Sequence, residues 1–164
     1  MSVLLRPATA TDAVAGAELQ RTCWREAYGP IVDPALLDAQ LADGPTWERR
    51  WQHPSPAGIT RLVATYGDAL VGFATSGAGR RDGDAEHELY GLYVLAAQHG
   101  TGLGQALLDA SVPADTACSL WVLEDNARAR TFYARNGFVP DGTRKRFEPL
   151  DAWELRLRRP SLIA

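Results

Sequence analysis

The chain has 164 residues, 46% of them hydrophobic and 23% charged, and carries a formal net charge of −3. That length suits one domain, residues 1–164, with a single core of real size. The acid excess argues against a nucleic-acid binder, which needs a basic face. No apolar run approaches the ~18 residues of a membrane span. Residues 1–7 meet Arg6 and Pro7 too early for a secretion signal.

Taken in chain order, residues 3–5 are apolar and read as a short first strand. A helix-compatible run extends from Thr11 to Tyr28, with Asp12 in its first turn, where an acid suits the helix dipole. Residues 29–58 hold five of the ten prolines together with Trp47 and Trp51, and read as broken helix and loop. Residues 60–66 and 69–75 form two strands joined by Gly67-Asp68, a hairpin signal. A Gly/Arg/Asp-rich turn follows over residues 76–84. Residues 88–95 read as a strand in which the isolated Gly91 suits a bulge. Leu103, Ala106, Leu107 and Ala110 repeat at helical spacing up to Pro113. Residues 118–123 are almost wholly apolar, as in a central strand covered on both faces. A helix over about 127–136 stops at Gly137, a natural C-terminal cap. Residues 138–143 and 152–158 supply two outer strands. The expected fold class is α/β (α+β), a mixed sheet with helices on both faces.

Cys23 and Cys118 lie far apart in apolar contexts. Two buried thiols in a reducing cytosol fit better than a disulfide, so the expected address is the cytoplasm. No cysteine or histidine has metal-ligand spacing, and no metal is expected.

Chemistry concentrates in the loop His99-Gly100-Thr101-Gly102-Leu103-Gly104-Gln105, between a strand and a helix. Absent side chains let a diphosphate approach the backbone, and the first helical turn offers unpaired N–H groups and a positive dipole end. No Gly-Lys-Ser/Thr follows, so a P-loop is excluded. The dinucleotide fingerprint finds Gln105 or Leu107 where its third glycine belongs. Glu124 ends the next strand, where a ribose-binding acid would sit, and keeps that reading as a minor alternative.

Together with this loop, residues 88–94 (ELYGLYV) and 126–138 (NARARTFYARNGF) resemble the GCN5-related N-acetyltransferase (GNAT) superfamily. The resemblance follows element order along nearly the whole chain and is strongest over residues 88–138. It implies a mostly antiparallel sheet of about seven strands, splayed between the fourth and fifth, and acetyl-CoA as co-substrate. Gly102 and Gly104 match the family's loop pattern, whereas His99, preceded by Gln98, stands where the family has Arg or Gln. By the same resemblance Leu92, Tyr93 and Val94 pair with the pantetheine arm through their backbone, as an added strand would.

Asn126 matches the Asn that opens the helix after the fifth strand in the family, and Tyr133 the Tyr seven residues later that faces the CoA sulfur. Their spacing agrees independently, since seven residues at 100° bring both onto one helix face. Asn126 also suits an N-cap, and Tyr133 beside Phe132 also suits core packing. Glu88 stands where many relatives carry a base, and otherwise reads as a solvent-facing strand residue. Glu86 and His87 are weaker candidates for the same task. A backbone N–H near Tyr93 or Val94 would serve the oxyanion.

The implied activity is acetyl transfer to a primary amine by direct attack, with Tyr133 meeting the departing thiolate. A CoA-binding regulator or sensor without turnover is the rival of a different class. The acceptor, a small-molecule or peptide amine, is expected to meet the segment holding Trp24, Tyr28, Trp47 and Trp51. The reading leaves room for a homodimer.

Overall fold

The computed structural model describes residues 2–52 and 58–163; part of the proline-rich segment lies outside them. Among them seven strands form one sheet: β1 (Val3–Pro7), β2 (Thr60–Tyr66), β3 (Ala69–Ala78), β4 (His87–Val94), β5 (Cys118–Leu123), β6 (Val139–Phe147) and β7 (Ala152–Arg159). Their spatial order is β1-β2-β3-β4-β5-β7-β6. Every neighbouring pair is antiparallel except β4 and β5, which run parallel. Among the described residues, five α-helices cover the faces: α1 (Ala13–Tyr28), α2 (Pro34–Leu41), α3 (Gly44–Gln52), α4 (Leu103–Ser111) and α5 (Ala127–Arg135).

Two departures from the sequence reading have local causes. The segment that reads as broken helix and loop contains α2 and α3. Its prolines at 34 and 45 fall in first turns, where proline loses no helical hydrogen bond. Asp33 caps α2, accepting from the N–H of Ala35 at 2.8 Å and of Leu36 at 3.3 Å. The second departure is β6, which runs on to Phe147 past the expected end at residue 143. Arg144, Lys145 and Arg146 lie outside both expected strands, yet they pair in register with Leu155, Glu154 and Trp153.

The sheet buries one core on each face. Against α4 and α5 lie Leu89, Leu103, Leu107, Leu108, Leu120, Val122 and Phe138. Against α1–α3 lie Leu19, Trp24, Leu41, Trp47, Trp51, Val63 and Phe73. Trp47 and Trp51, spaced one turn apart, both point into this second core. Gly16 lets α1 meet α3, because a Cβ there would overlap the Trp51 ring.

Only three residue pairs join β4 to β5: His87 with Cys118, Glu88 with Ser119, and Leu89 with Leu120. Beyond them the strands part. The divergence coincides with a bulge in β4, where Thr75 pairs with Gly91 but Ser76 pairs with Leu89, leaving Tyr90 as the extra residue. Past the bulge, Leu92 and Val94 turn toward the α4–α5 core and Tyr93 toward the opposite one. The splay leaves one edge of β4 without a strand partner.

Candidate active site

The gap between β4 and β5 opens into a cavity of about 940 Å³. Its walls come from the end of α1 (Glu26, Tyr28), from β4 (Tyr90 to Val94), from the loop before α4 (Gln98, His99, Gly100, Gly102), from β5 (Trp121 to Leu123) and from α5.

The β4 edge supplies main-chain groups. Leu95 donates its N–H to the Val71 carbonyl on β3 at 3.0 Å. By the alternation of an antiparallel ladder, Tyr93 also faces β3, and the polar groups of Leu92 and Val94 turn into the splay. The Val94 carbonyl indeed meets the His99 Nε2 at 3.1 Å. Of the N–H groups of Tyr93 and Val94, the alternation turns that of Val94 into the splay.

The α4 N-terminus supplies a second set of donors. Gly102 precedes the helix with φ 88°, a left-handed conformation that glycine adopts without strain, and Gly100 has φ 78°. A Cβ added at Gly104 would meet only Phe132, at 3.6 Å. The helix therefore presents its first N–H groups to open space, and an anion there finds donors and a favourable dipole. Leu103 contributes backbone alone, since its side chain is buried in the α4–α5 core. The Thr101 hydroxyl turns back to the Gln98 carbonyl at 2.7 Å. Gln105 lines the cavity and donates to Asp109 and to Asn136, both at 2.8 Å.

On α5, Asn126 and Tyr133 share the cavity face with Ala129 between them. Asn126 is also the N-cap, accepting from the Ala129 N–H at 3.2 Å. Both readings of this residue hold at once. Tyr133 packs edge-on against Phe132 and Phe138 while still bordering the cavity. Burial pushes its phenol pKa well up, with Tyr93 and Cys118 adding to the push. The hydroxyl thus keeps its proton across the neutral and mildly alkaline range.

Across the cavity, the Tyr28 and Tyr93 hydroxyls meet at 2.9 Å, and Tyr93 stacks on Phe73. Burial raises both phenol pKa values as well. Of the aromatics expected near the acceptor, Tyr28 reaches the cavity, whereas Trp47 and Trp51 belong to the core. Cys23 borders the cavity too, but burial pushes its thiol pKa to about 12, so it holds no thiolate at neutral pH.

Glu88 is set apart from the rest. It is 0% exposed and does not line the cavity. Both of its oxygens accept from Arg80, Oε2 from Nε at 2.8 Å and Oε1 from Nη2 at 3.2 Å. Arg80 in turn lies 4.0 Å over the Tyr90 ring, which does line the cavity. His87 contacts the Ser111 carbonyl at 3.0 Å.

Sequence reasoning passed over Glu26, Arg128 and Arg135, which also line the cavity. Arg128 and Arg135 repeat the seven-residue spacing of Asn126 and Tyr133 and so share a neighbouring face, a signal that was available. Glu26 had none: its carboxylate accepts from the Ala96 N–H at 2.6 Å, a contact between distant segments. Among the described residues no cluster of His, Cys, Asp and Glu fits a metal ion, and no helix is long and apolar enough to cross a membrane.

Comparison with known proteins agrees with this geometry. Residues 58–140 match the model of the acetyltransferase (GNAT) domain. An uncharacterized N-acetyltransferase of Mycobacterium tuberculosis is 35% identical over 124 residues, 73% of this chain and 72% of that protein. A second N-acetyltransferase of that organism, named as probable, is 27% identical over 157 residues, 91% of this chain and 87% of that one. In fold, the chain is similar to the PaiA N-acetyltransferase of Thermoplasma acidophilum, crystallised with coenzyme A. That match has a TM-score of 0.73 and 20% identity, and covers 95% of this chain and 98% of that one. With the splayed parallel pair, the glycine loop and the Asn126–Tyr133 face all opening on one cavity, the chain belongs to the GNAT acetyltransferase family.

Proposed function

We propose that the protein transfers the acetyl group of acetyl-CoA to a primary amine by direct attack within a ternary complex. One observation carries this reading: the α4 N-terminus, the free edge of β4 and the Tyr133 ring border a single cavity. In it the diphosphate meets the N–H groups of Leu103, Gly104 and Gln105, with Arg128 and Arg135 at hand as counter-charges. The pantetheine lies along Leu92 and Val94 in place of a strand, with Asn126 and Ala129 on its other side.

The attacking amine must be neutral. A lysine-like amine is neutral about once in 10³ at pH 7. Glu88 serves as its base only when the Arg80 pair opens; with the pair closed, the proton leaves to water. The tetrahedral oxyanion is met by the Val94 N–H, already aimed into the splay. Tyr133, held protonated by its burial, donates a hydrogen bond to the departing sulfur. The thiol of Cys23, with its pKa at about 12, argues against a covalent acyl-enzyme.

Two measurements test the reading. At a hundred times Kd, acetyl-CoA should stabilise the fold by about 2.7 kcal/mol, seen as a rise in Tm, and NAD should not. Release of free CoA should then depend on an added amine. Binding of acetyl-CoA with no turnover on a broad amine panel would favour a sensor in place of an enzyme.

A further inference from the structure

Two hydroxyl groups on the cavity wall use only part of their hydrogen-bonding capacity. Tyr28 on α1 and Tyr93 on β4 both line the cavity, and their hydroxyls meet at 2.9 Å. Two phenols in contact share one proton. The other proton, and acceptor capacity on the oxygens, have no partner among the described residues. The rings that carry the hydroxyls are held in place. Tyr28 packs edge-on against Trp24 at 5.2 Å between ring centres, and Tyr93 stacks on Phe73 at 5.4 Å. Turning either ring away would break aromatic contacts of the α1–α3 core.

The pair also stands on the side left open to an acceptor. Leu92 and Val94 turn toward the α4–α5 core, where Tyr133 is packed, and Tyr93 between them turns to the face that α1 covers. A thioester laid along the β4 edge therefore has Tyr133 on one face and the hydroxyl pair on the other. The other polar side chains that α1 and β4 bring to the cavity are committed or inert. Tyr90 donates its hydroxyl to the Ala78 carbonyl. Glu26 accepts from the Ala96 N–H, three residues past Tyr93. Cys23 keeps its proton, with a pKa pushed to about 12 by burial.

We propose that the Tyr28–Tyr93 hydroxyl pair is the seat of the attacking amine. Its two oxygens accept the two N–H groups of a neutral primary amine, which leaves the nitrogen lone pair free to face the thioester carbon. Burial raises both phenol pKa values, so both hydroxyls stay protonated at neutral pH and the pair orients the amine without serving as its base. A seat with two acceptors selects by N–H count: a secondary amine brings only one and is held less well. This assignment rests on the reading that the cavity holds acetyl-CoA and an amine, and it names the residues that hold that amine.

The test pairs n-alkylamines with their N-methyl counterparts, as acceptors and as ligands of the CoA-bound protein. Tyr28→Phe and Tyr93→Phe should each lower kcat/KM for the primary amine about 10- to 100-fold, the range for hydrogen bonds to a group that gains charge in the reaction. The N-methyl amine should lose less, so the preference for the primary amine shrinks. KM for acetyl-CoA should stay near its wild-type value. Because the hydroxyls act as a unit, the double variant should lose little more than either single one. A rise in Tm with acetyl-CoA certifies each variant as folded. Calorimetric binding of the alkylamines to the CoA complex needs no turnover. If they bind there, and more weakly to the Phe variants, but nothing is acetylated, the seat stands and the transfer reading falls. If amines are acetylated and neither variant moves the preference, the pair only joins α1 to β4 and the seat is overturned. Alkylamines that neither bind nor react overturn it as well.

Discussion

On the proposed reading, the cavity has a cofactor half and an acceptor half, and the two are built by different means. The first is assembled from short runs: the edge of β4, the loop into α4 and one face of α5. Much of its chemistry is main chain, namely the N–H groups at the head of α4 and those of Leu92 and Val94. The second half takes single side chains from α1, β4 and β5: Tyr28, Tyr93 and Trp121. A backbone site needs glycines and a helix start in fixed order, and that order is written in consecutive residues. A side-chain site needs only that the fold bring its members together.

The sharpest way to break the cofactor half is at the sulfur. Tyr133→Phe should keep the fold and near-normal acetyl-CoA affinity while cutting kcat by 10- to 10³-fold, about 1.4 to 4 kcal/mol of barrier. Since burial raises the Tyr133 pKa, full proton transfer to a thiolate of pKa near 8.5 is uphill, and hydrogen-bond donation is the favoured role. The wild type should then show no alkaline loss of rate from this residue up to about pH 10. Equal losses in kcat and kcat/KM would place the interaction in the transition state. A fully active Phe variant would leave Tyr133 to packing.

A smaller effect is expected at the loop. Gly102 has positive φ, so a substitution there strains the backbone whatever the ligand does. Gly104 is the cleaner probe, because its added Cβ meets only Phe132 at an ordinary distance. Gly104→Val should raise the Kd for acetyl-CoA about 10- to 100-fold, or about 1.4 to 2.8 kcal/mol, by crowding the diphosphate. It should change acceptor preference little. Unchanged affinity, measured by calorimetry, would reduce the glycine to a turn residue.

These two halves also differ in how far the sequence foretold them. The element order and the β4 bulge could be read, because hairpin, periodicity and cap signals are local. So could the cavity-facing pair on α5, where helical geometry converts spacing into a shared face. The two helices of the proline-rich segment could not, because proline at a first helical turn looks like proline in a loop. The extension of β6 was hidden by consecutive cations that pair in alternation on a sheet edge. The cross-strand pairing of Lys145 with Glu154 was invisible for the same reason: nothing in residues 144–146 or 152–158 states that they face each other.

Glu88 tests whether a residue outside the cavity takes part in the chemistry. Its pair with Arg80 makes a structural role and a catalytic role separable. Glu88→Gln leaves Arg80 without its bidentate partner beside a buried amide. With half of the Arg80 side chain exposed, the stability loss should be about 1 to 3 kcal/mol, below the range for a wholly buried pair. If the pair is only structural, kcat per folded molecule stays near wild type at every pH. If Glu88 takes the amine's proton, the rate falls about 10²-fold at neutral pH and less at high pH, where the amine deprotonates unaided.

The smallest effect belongs to the scaffold of the acceptor half, at the start of the helix that carries Tyr28. Arg6 on β1 donates two hydrogen bonds of 2.8 Å to Asp12, and the Thr9 N–H donates a third at 2.8 Å. The Arg6 bond above all, with that of Thr9 after it, holds the Asp12 pKa at about 2. An unfolded aspartate titrates near 3.9. A carboxylate depressed in this way stabilises the fold above the unfolded pKa and loses that contribution as pH falls through about 2. The Arg6 side chain is 43% exposed, so solvent screening trims the gain to about 1 to 2 kcal/mol. Asp12→Asn should therefore lower Tm by about 2 to 8 °C at pH 7. Below pH 2, where the wild-type carboxylate is protonated too, the two proteins should melt nearly together. Because the pair sits at the far end of α1 from the cavity, acetyl-CoA affinity should not change. An equal gap in Tm at both pH values would show that the charge contributes nothing and that the amide has only disturbed the helix start.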